Sequence, residues 1–209
     1  MLKKTTLALV FSIGAVFGGV ASATTVTVGN APINRALADG FTNFALGFTG
    51  ISFIRGTLTG WDVFIESITG NAATGTMALM VLADLGGGNY QVQGVDARTV
   101  GLGLNSFTGT SISTLATDIL GVFIGSAAVS YDVNNQPSGP DLYTNNGAFS
   151  FAPVTGDTIT LTAGSTDRTY SLQATVAAVP LPAGGLLLIG ALGGLAALRR
   201  RKMASAALV

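Results

Sequence analysis

Between residues 24 and 176, apolar and polar positions alternate with a period of two, and the alternation is interrupted every few residues by glycine, proline, asparagine or aspartate. That period sends successive side chains to opposite faces of an extended strand, so the pattern predicts many short strands. Residues 24–28 alternate threonine with valine. In 61–66, Trp61, Val63 and Ile65 fall on one face and Asp62, Phe64 and Glu66 on the other. Residues 77–82 are apolar throughout, which predicts a central strand covered on both faces. Gly86, Gly87, Gly88 and Asn89 form a turn signal, followed by clean alternation over 90–93. Alternation returns over 158–163 and 170–176, with residues 164–168 between them as a predicted hairpin loop. Helical spacing is confined to Ile112, Leu115, Ala116 and Ile119, with Ser111 as a cap, which predicts one short helix near 112–120. Residues 34–39 could add one further helical turn. No repeat of 20–50 residues is visible. The fold expected over 24–178 is all-β: an antiparallel, jelly-roll-like β-sandwich of about eight strands.

Two longer apolar runs break this period, one at each end. Lys3 and Lys4 precede an apolar run over 7–20, and Ala21-Ser22-Ala23 follows it. A positive start, a short apolar core and small residues before the cut make residues 1–23 a predicted secretory signal peptide, cleaved after Ala23. The small residues at 21 and 23 weigh against the alternative, an uncleaved anchor helix. At the other end, the apolar stretch 183–198 is followed by Arg199, Arg200, Arg201 and Lys202. Sixteen helical residues span about 24 Å, slightly less than a hydrocarbon core of about 30 Å. Snorkelling cations can cover the difference. The same basic stop cluster holds the C-terminus in the cytoplasm, so a transmembrane helix here leaves 24–178 outside the inner membrane. Residues 203–209 then form a short cytoplasmic tail.

Charge is distributed to match. The chain carries ten basic and ten acidic residues, yet six of the basic ones lie in the two ends. The stretch between them holds Arg35, Arg55, Arg98 and Arg168 against ten carboxylates, a net charge of −6 with no lysine. Such a surface repels phosphate backbones, so nucleic acid is excluded as a partner. Cysteine and histidine are absent, which removes thiol catalysis, Ser-His-Asp catalysis and the common zinc sites.

The C-terminal order Val179-Pro180-Leu181-Pro182-Ala183, then a glycine- and leucine-rich helix, then a basic cluster, resembles the VPLPA variant of the PEP-CTERM sorting domain. The resemblance covers residues 179–202. It implies transient anchorage in the inner membrane of a Gram-negative bacterium. It further implies processing near the motif by an exosortase, a membrane-embedded cysteine protease, and delivery to the cell surface or extracellular matrix. This chain departs from the pattern by running seven residues past the cations. Two other readings of the same residues are a single-pass anchor that is never cut and a sortase signal, the latter opposed by Gly184 where that motif has threonine.

Candidate chemistry in the middle is sparse. Asp62 and Glu66 share a strand face, but four residues separate them by about 13 Å, beyond the roughly 5–9.5 Å that glycoside hydrolysis requires. Asp132, Asn134 and Asp141 bracket a loop rich in oxygen ligands, proline and glycine, which suits either calcium or an ordinary turn. Asp84 and Asp96, flanking the glycine turn, pose the same choice. Trp61, the sole tryptophan, is either a core anchor or an exposed platform for sugar rings. No phosphate loop, dinucleotide fingerprint or nucleophile elbow is present. The expectation is a non-enzymatic exported surface or matrix protein associated with biofilm or extracellular polysaccharide, without a resident cofactor. The alternative is a carbohydrate- or calcium-binding lectin-like module.

Overall fold

The computed structural model describes residues 24–39, 41–133, 141–144, 147–164 and 168–179. The predicted signal peptide, Pro180 to Ala183, the predicted transmembrane helix and the basic cluster lie outside the described residues. Thr24–Val179 forms one compact unit.

Its architecture is two antiparallel sheets of seven strands each. The first holds β1 (Thr25–Gly29), β2 (Leu37–Ala38), β4 (Gly56–Ile68), β7 (Gly103–Thr114), β9 (Ala127–Val133), β13 (Arg168–Tyr170) and β14 (Leu172–Ala178). The second holds β3 (Phe44–Ser52), β5 (Thr74–Gly86), β6 (Asn89–Gly101), β8 (Ile119–Ile124), β10 (Asp141–Tyr143), β11 (Thr158–Thr160) and β12 (Thr162–Ala163). There are more segments than expected because several strands are bent into pieces. At Ser171, for instance, one run leaves its pairing with β9 and joins β4.

Alternation decides which face each sheet buries. Leu58, Trp61, Val63 and Ile65 of β4 point inward, against Phe44, Leu46 and Phe48 of β3, Met77, Leu79 and Val81 of β5, and Val122 and Ile124 of β8. The intervening residues of the second sheet, Ala45, Ala78, Met80, Leu82 and Phe123, build a separate cluster with Ile159 and Leu161. Residues 77–82 are therefore buried on both faces, as an uninterrupted apolar strand requires. The glycine turn joins β5 to β6 in a hairpin, with Gly86, Gly87 and Gly88 all at positive φ.

Three local expectations are corrected. Residues 112–120 are not helical: β7 runs to Thr114, and Leu115 to Asp118 make a turn closed by the Asp118 carboxylate accepting the Leu115 N–H at 2.8 Å. Leu115 is exposed, and the β-branched run before it favours the strand. Residues 34–39 likewise carry β2, paired to β9, and among the described residues the one helical segment is the 3-10 turn Thr69–Asn71. The strands flanking 164–168 do not pair with each other as a hairpin requires, since β12 pairs with β10 in one sheet and β13 with β9 in the other; residues 165–167 themselves lie outside the described residues.

The two ends of the unit lie together. β1 pairs antiparallel with β14, and the Ala178 N–H donates to the Thr24 carbonyl at 2.8 Å.

Candidate functional site

Trp61 sits in β4 opposite Phe107 of β7 and Ala174 of β14. It is 1% exposed, so it offers no face to a sugar ring, and the ligand role suggested for it is corrected to a core one. The cause is the alternation that also buries Val63 and Ile65. Its indole N–H donates to Asp96 Oδ2 at 2.9 Å, and the Thr110 hydroxyl donates to the same oxygen. Arg98 Nε stands 2.8 Å from Asp96 Oδ1 but off the donor axis, which makes that contact ionic rather than a directed hydrogen bond. Burial works to raise the Asp96 carboxyl, yet the bonds from Thr110 and Trp61 and the Arg98 charge outweigh it and hold Asp96 below the ordinary carboxylate range. This knot ties β6 of the second sheet to β4 and β7 of the first. Its role is structural.

Of the calcium candidates, Asn134 lies outside the described residues, and only the backbone of Asp141, in β10, is described. Asp132 is already engaged. Its Oδ1 accepts the Ala36 N–H at 3.0 Å and its Oδ2 accepts Arg35 at 2.9 Å. Those two bonds, the backbone one first, hold its carboxyl below the usual range. Arg35 also donates through Nε to Ser171 Oγ at 2.7 Å, while its backbone N–H donates to Ser130 Oγ. One arginine thereby clamps the segment before β2 across the bend at Ser171. Asp84 Oδ1 accepts the Gly86 N–H at 2.7 Å and shapes the glycine turn. Among the described residues no group of three or more acidic, histidine or cysteine side chains converges as a metal site.

A cleft of about 350 Å³ opens where the edges of the two sheets part. Leu46 of β3, Tyr143 of β10 and Ala163 of β12 form one side, and Arg168 and Tyr170 of β13 the other. Asp39, just after β2, closes the base, with Phe41 and Phe44 beside it. Asp39 is 4% exposed, and its Oδ2 accepts the Tyr170 hydroxyl at 2.6 Å and Arg168 at 3.0 Å. Burial, and then the Asp39 charge, push the Tyr170 hydroxyl far above its ordinary value, so it remains a donor. The Arg168 guanidinium lies over the Tyr131 ring at 4.6 Å, in cation–π range. Phe41 meets Phe44 edge-on at 5.7 Å and leaves much of its own ring exposed.

Sequence reasoning overlooked Asp39, Phe41 and Arg168 as site residues. The available signal was arithmetic: in a domain with four arginines and no lysine, an arginine set in an alternating segment needs a carboxylate partner. Asp62 and Glu66 stay on the outward face of β4, with Glu66 exposed. Val179, the first residue of the Val-Pro-Leu-Pro-Ala run, is exposed, and its N–H donates to the Arg55 carbonyl at 3.2 Å. Comparison of the chain with family models, with characterised proteins and with solved structures finds no match.

Proposed function

We propose that the chain is a non-enzymatic, exported surface or extracellular-matrix protein of a Gram-negative bacterium. Its β domain, jelly-roll-like in this reading, is held at the inner membrane by the C-terminal helix. An exosortase cuts near Val179-Pro180-Leu181-Pro182-Ala183 and releases it to associate with biofilm or exopolysaccharide. The observation that carries the reading is the ordered tail: motif, apolar stretch, then Arg199, Arg200, Arg201 and Lys202. Further support comes from the pairing of Thr24 with Ala178, since a signal peptide and a sorting tail leaving one point of the domain both reach the same membrane. The last strand ends at Ala178, directly before the motif.

The test is made in whole cells. Neutralising the four terminal cations, or deleting the exosortase gene, should trap full-length protein in the inner membrane. Unchanged surface delivery in both strains refutes the sorting reading. The cleft favours a second reading, a carbohydrate-binding lectin-like module. Glycan binding that a chelator abolishes and calcium restores would extend this to a calcium site built on Asp132, Asn134 and Asp141.

A further inference from the structure

The cleft between β10, β12 and β13 combines three properties that restrict its occupant. Its volume, about 350 Å³, lies at the lower end of the range for small-molecule sites, enough for one or two sugar-sized rings. Its walls are largely apolar: the exposed ring of Phe41, the side chain of Leu46 and the half-buried ring of Tyr143. Its base is polar but electrically balanced, because Arg168 and Asp39 neutralise each other at 3.0 Å and Tyr170 completes the set.

Each class of small molecule can be weighed against these properties. An anion gains little, since the Arg168 charge is matched by Asp39 and the surrounding domain carries −6. A cation gains nothing at the base either, because the Asp39 carboxylate there is already engaged by Arg168 and Tyr170. A hydrocarbon would desolvate the polar part of the lining, Asp39 and Arg168, without hydrogen-bonding to it. A neutral polyhydroxylated ring meets all three conditions: its C–H faces lie on the aromatic walls, and its hydroxyls, donors and acceptors at once, match Tyr143 and the base. We infer that this cleft binds one or two rings of a neutral glycan. The choice of occupant rests on the reading of the domain as a matrix-associated exported protein; the geometry of the cleft does not.

The test uses full-length protein in micelles of a detergent without sugar headgroups. Saturation-transfer NMR and calorimetry are run with glucose, galactose, mannose, N-acetylglucosamine, their neutral disaccharides, and glucuronate. At least one neutral sugar should bind. Ala163→Trp, at an exposed edge position, fills the cleft and should weaken binding at least about tenfold. Tyr143→Phe removes only the hydroxyl and should weaken it about fivefold with unchanged thermal stability, the equivalent of one ordinary hydrogen bond. The inference is overturned if no neutral sugar binds at about 10 mM, if Ala163→Trp binds as the parent does, or if glucuronate binds more tightly than every neutral sugar. These measurements involve no sorting step, so their failure leaves the tail reading standing. A failed sorting test likewise leaves them untouched.

Discussion

Replacing Asp39 by alanine removes the one carboxylate that both Tyr170 and Arg168 address at the base of the cleft. Tyr170 is 2% exposed, so water cannot substitute for the lost acceptor. A buried donor left without an acceptor costs about 1–3 kcal/mol. Arg168 loses its ion partner, but its side chain is 30% exposed and solvent screens much of that charge, adding roughly 1 kcal/mol or less. The expected loss is therefore about 1–4 kcal/mol, a fall of roughly 2–16 °C in Tm for a domain of this size. Tyr170→Phe alone should cost about 1 kcal/mol, because Asp39 keeps Arg168. Once the hydroxyl is gone, Asp39→Ala leaves no buried donor orphaned and costs only the screened Arg168 contact, so the double variant should be about 1–2 kcal/mol more stable than the sum of the singles. Denaturant titration at pH 7, followed by the fluorescence of the sole, buried Trp61, reads all three values provided the m-value stays constant. A loss below about 0.5 kcal/mol for Asp39→Ala, or additive singles, would refute the account of this triad.

Two further outcomes follow from the packing of the strands and the burial of Tyr170. A Cβ at Gly60 would collide with the Phe107 carbonyl oxygen of the neighbouring strand, so Gly60→Ala should cost about 1–3 kcal/mol in the same titration, whereas Gly101→Ala, which faces open space, should stay within about 0.5 kcal/mol. The Tyr170 proton is held in the folded state to a pH far beyond that at which the unfolded chain releases it, so its contribution is complete below about pH 10 and is lost as pH rises above that; Tm measured from pH 8 to 11.5 should fall more steeply in the parent than in Tyr170→Phe, and equal slopes would refute the assignment.

The faces of the strands were legible because a period of two is a purely local property. Trp61, Val63 and Ile65 had to share a face, and the apolar run 77–82 had to be covered twice. The misread helix shows where locality ends. Leu58 pairs with Ile112 but Gly60 with Thr108, so three residues of β7 bulge opposite one of β4, and Gly109 takes φ 80° to allow it. The bulge resets the alternation, and the spacing of Ile112, Leu115, Ala116 and Ile119 then imitates a helical stripe by coincidence. The cleft was illegible for a related reason: Asp39 meets Arg168 and Tyr170 across 129 and 131 residues of chain, separations that only the sheet topology closes.

The deficit of arginine takes on a different meaning once the positions are known. Composition alone gave four cations against ten carboxylates, a general acidity of the surface. In the structure, three of the four arginines neutralise aspartates at joints of the fold: Arg35 with Asp132 at the bend before β14, Arg98 with Asp96 between the sheets, and Arg168 with Asp39 where the sheet edges part. The unmatched acids then include Asp62 and Glu66 on the outward face of β4, away from those joints. A domain built this way repels polyanions over its outer surface while keeping the cleft beside Phe41 and Tyr143 free of net charge, as the neutral occupant inferred for it requires.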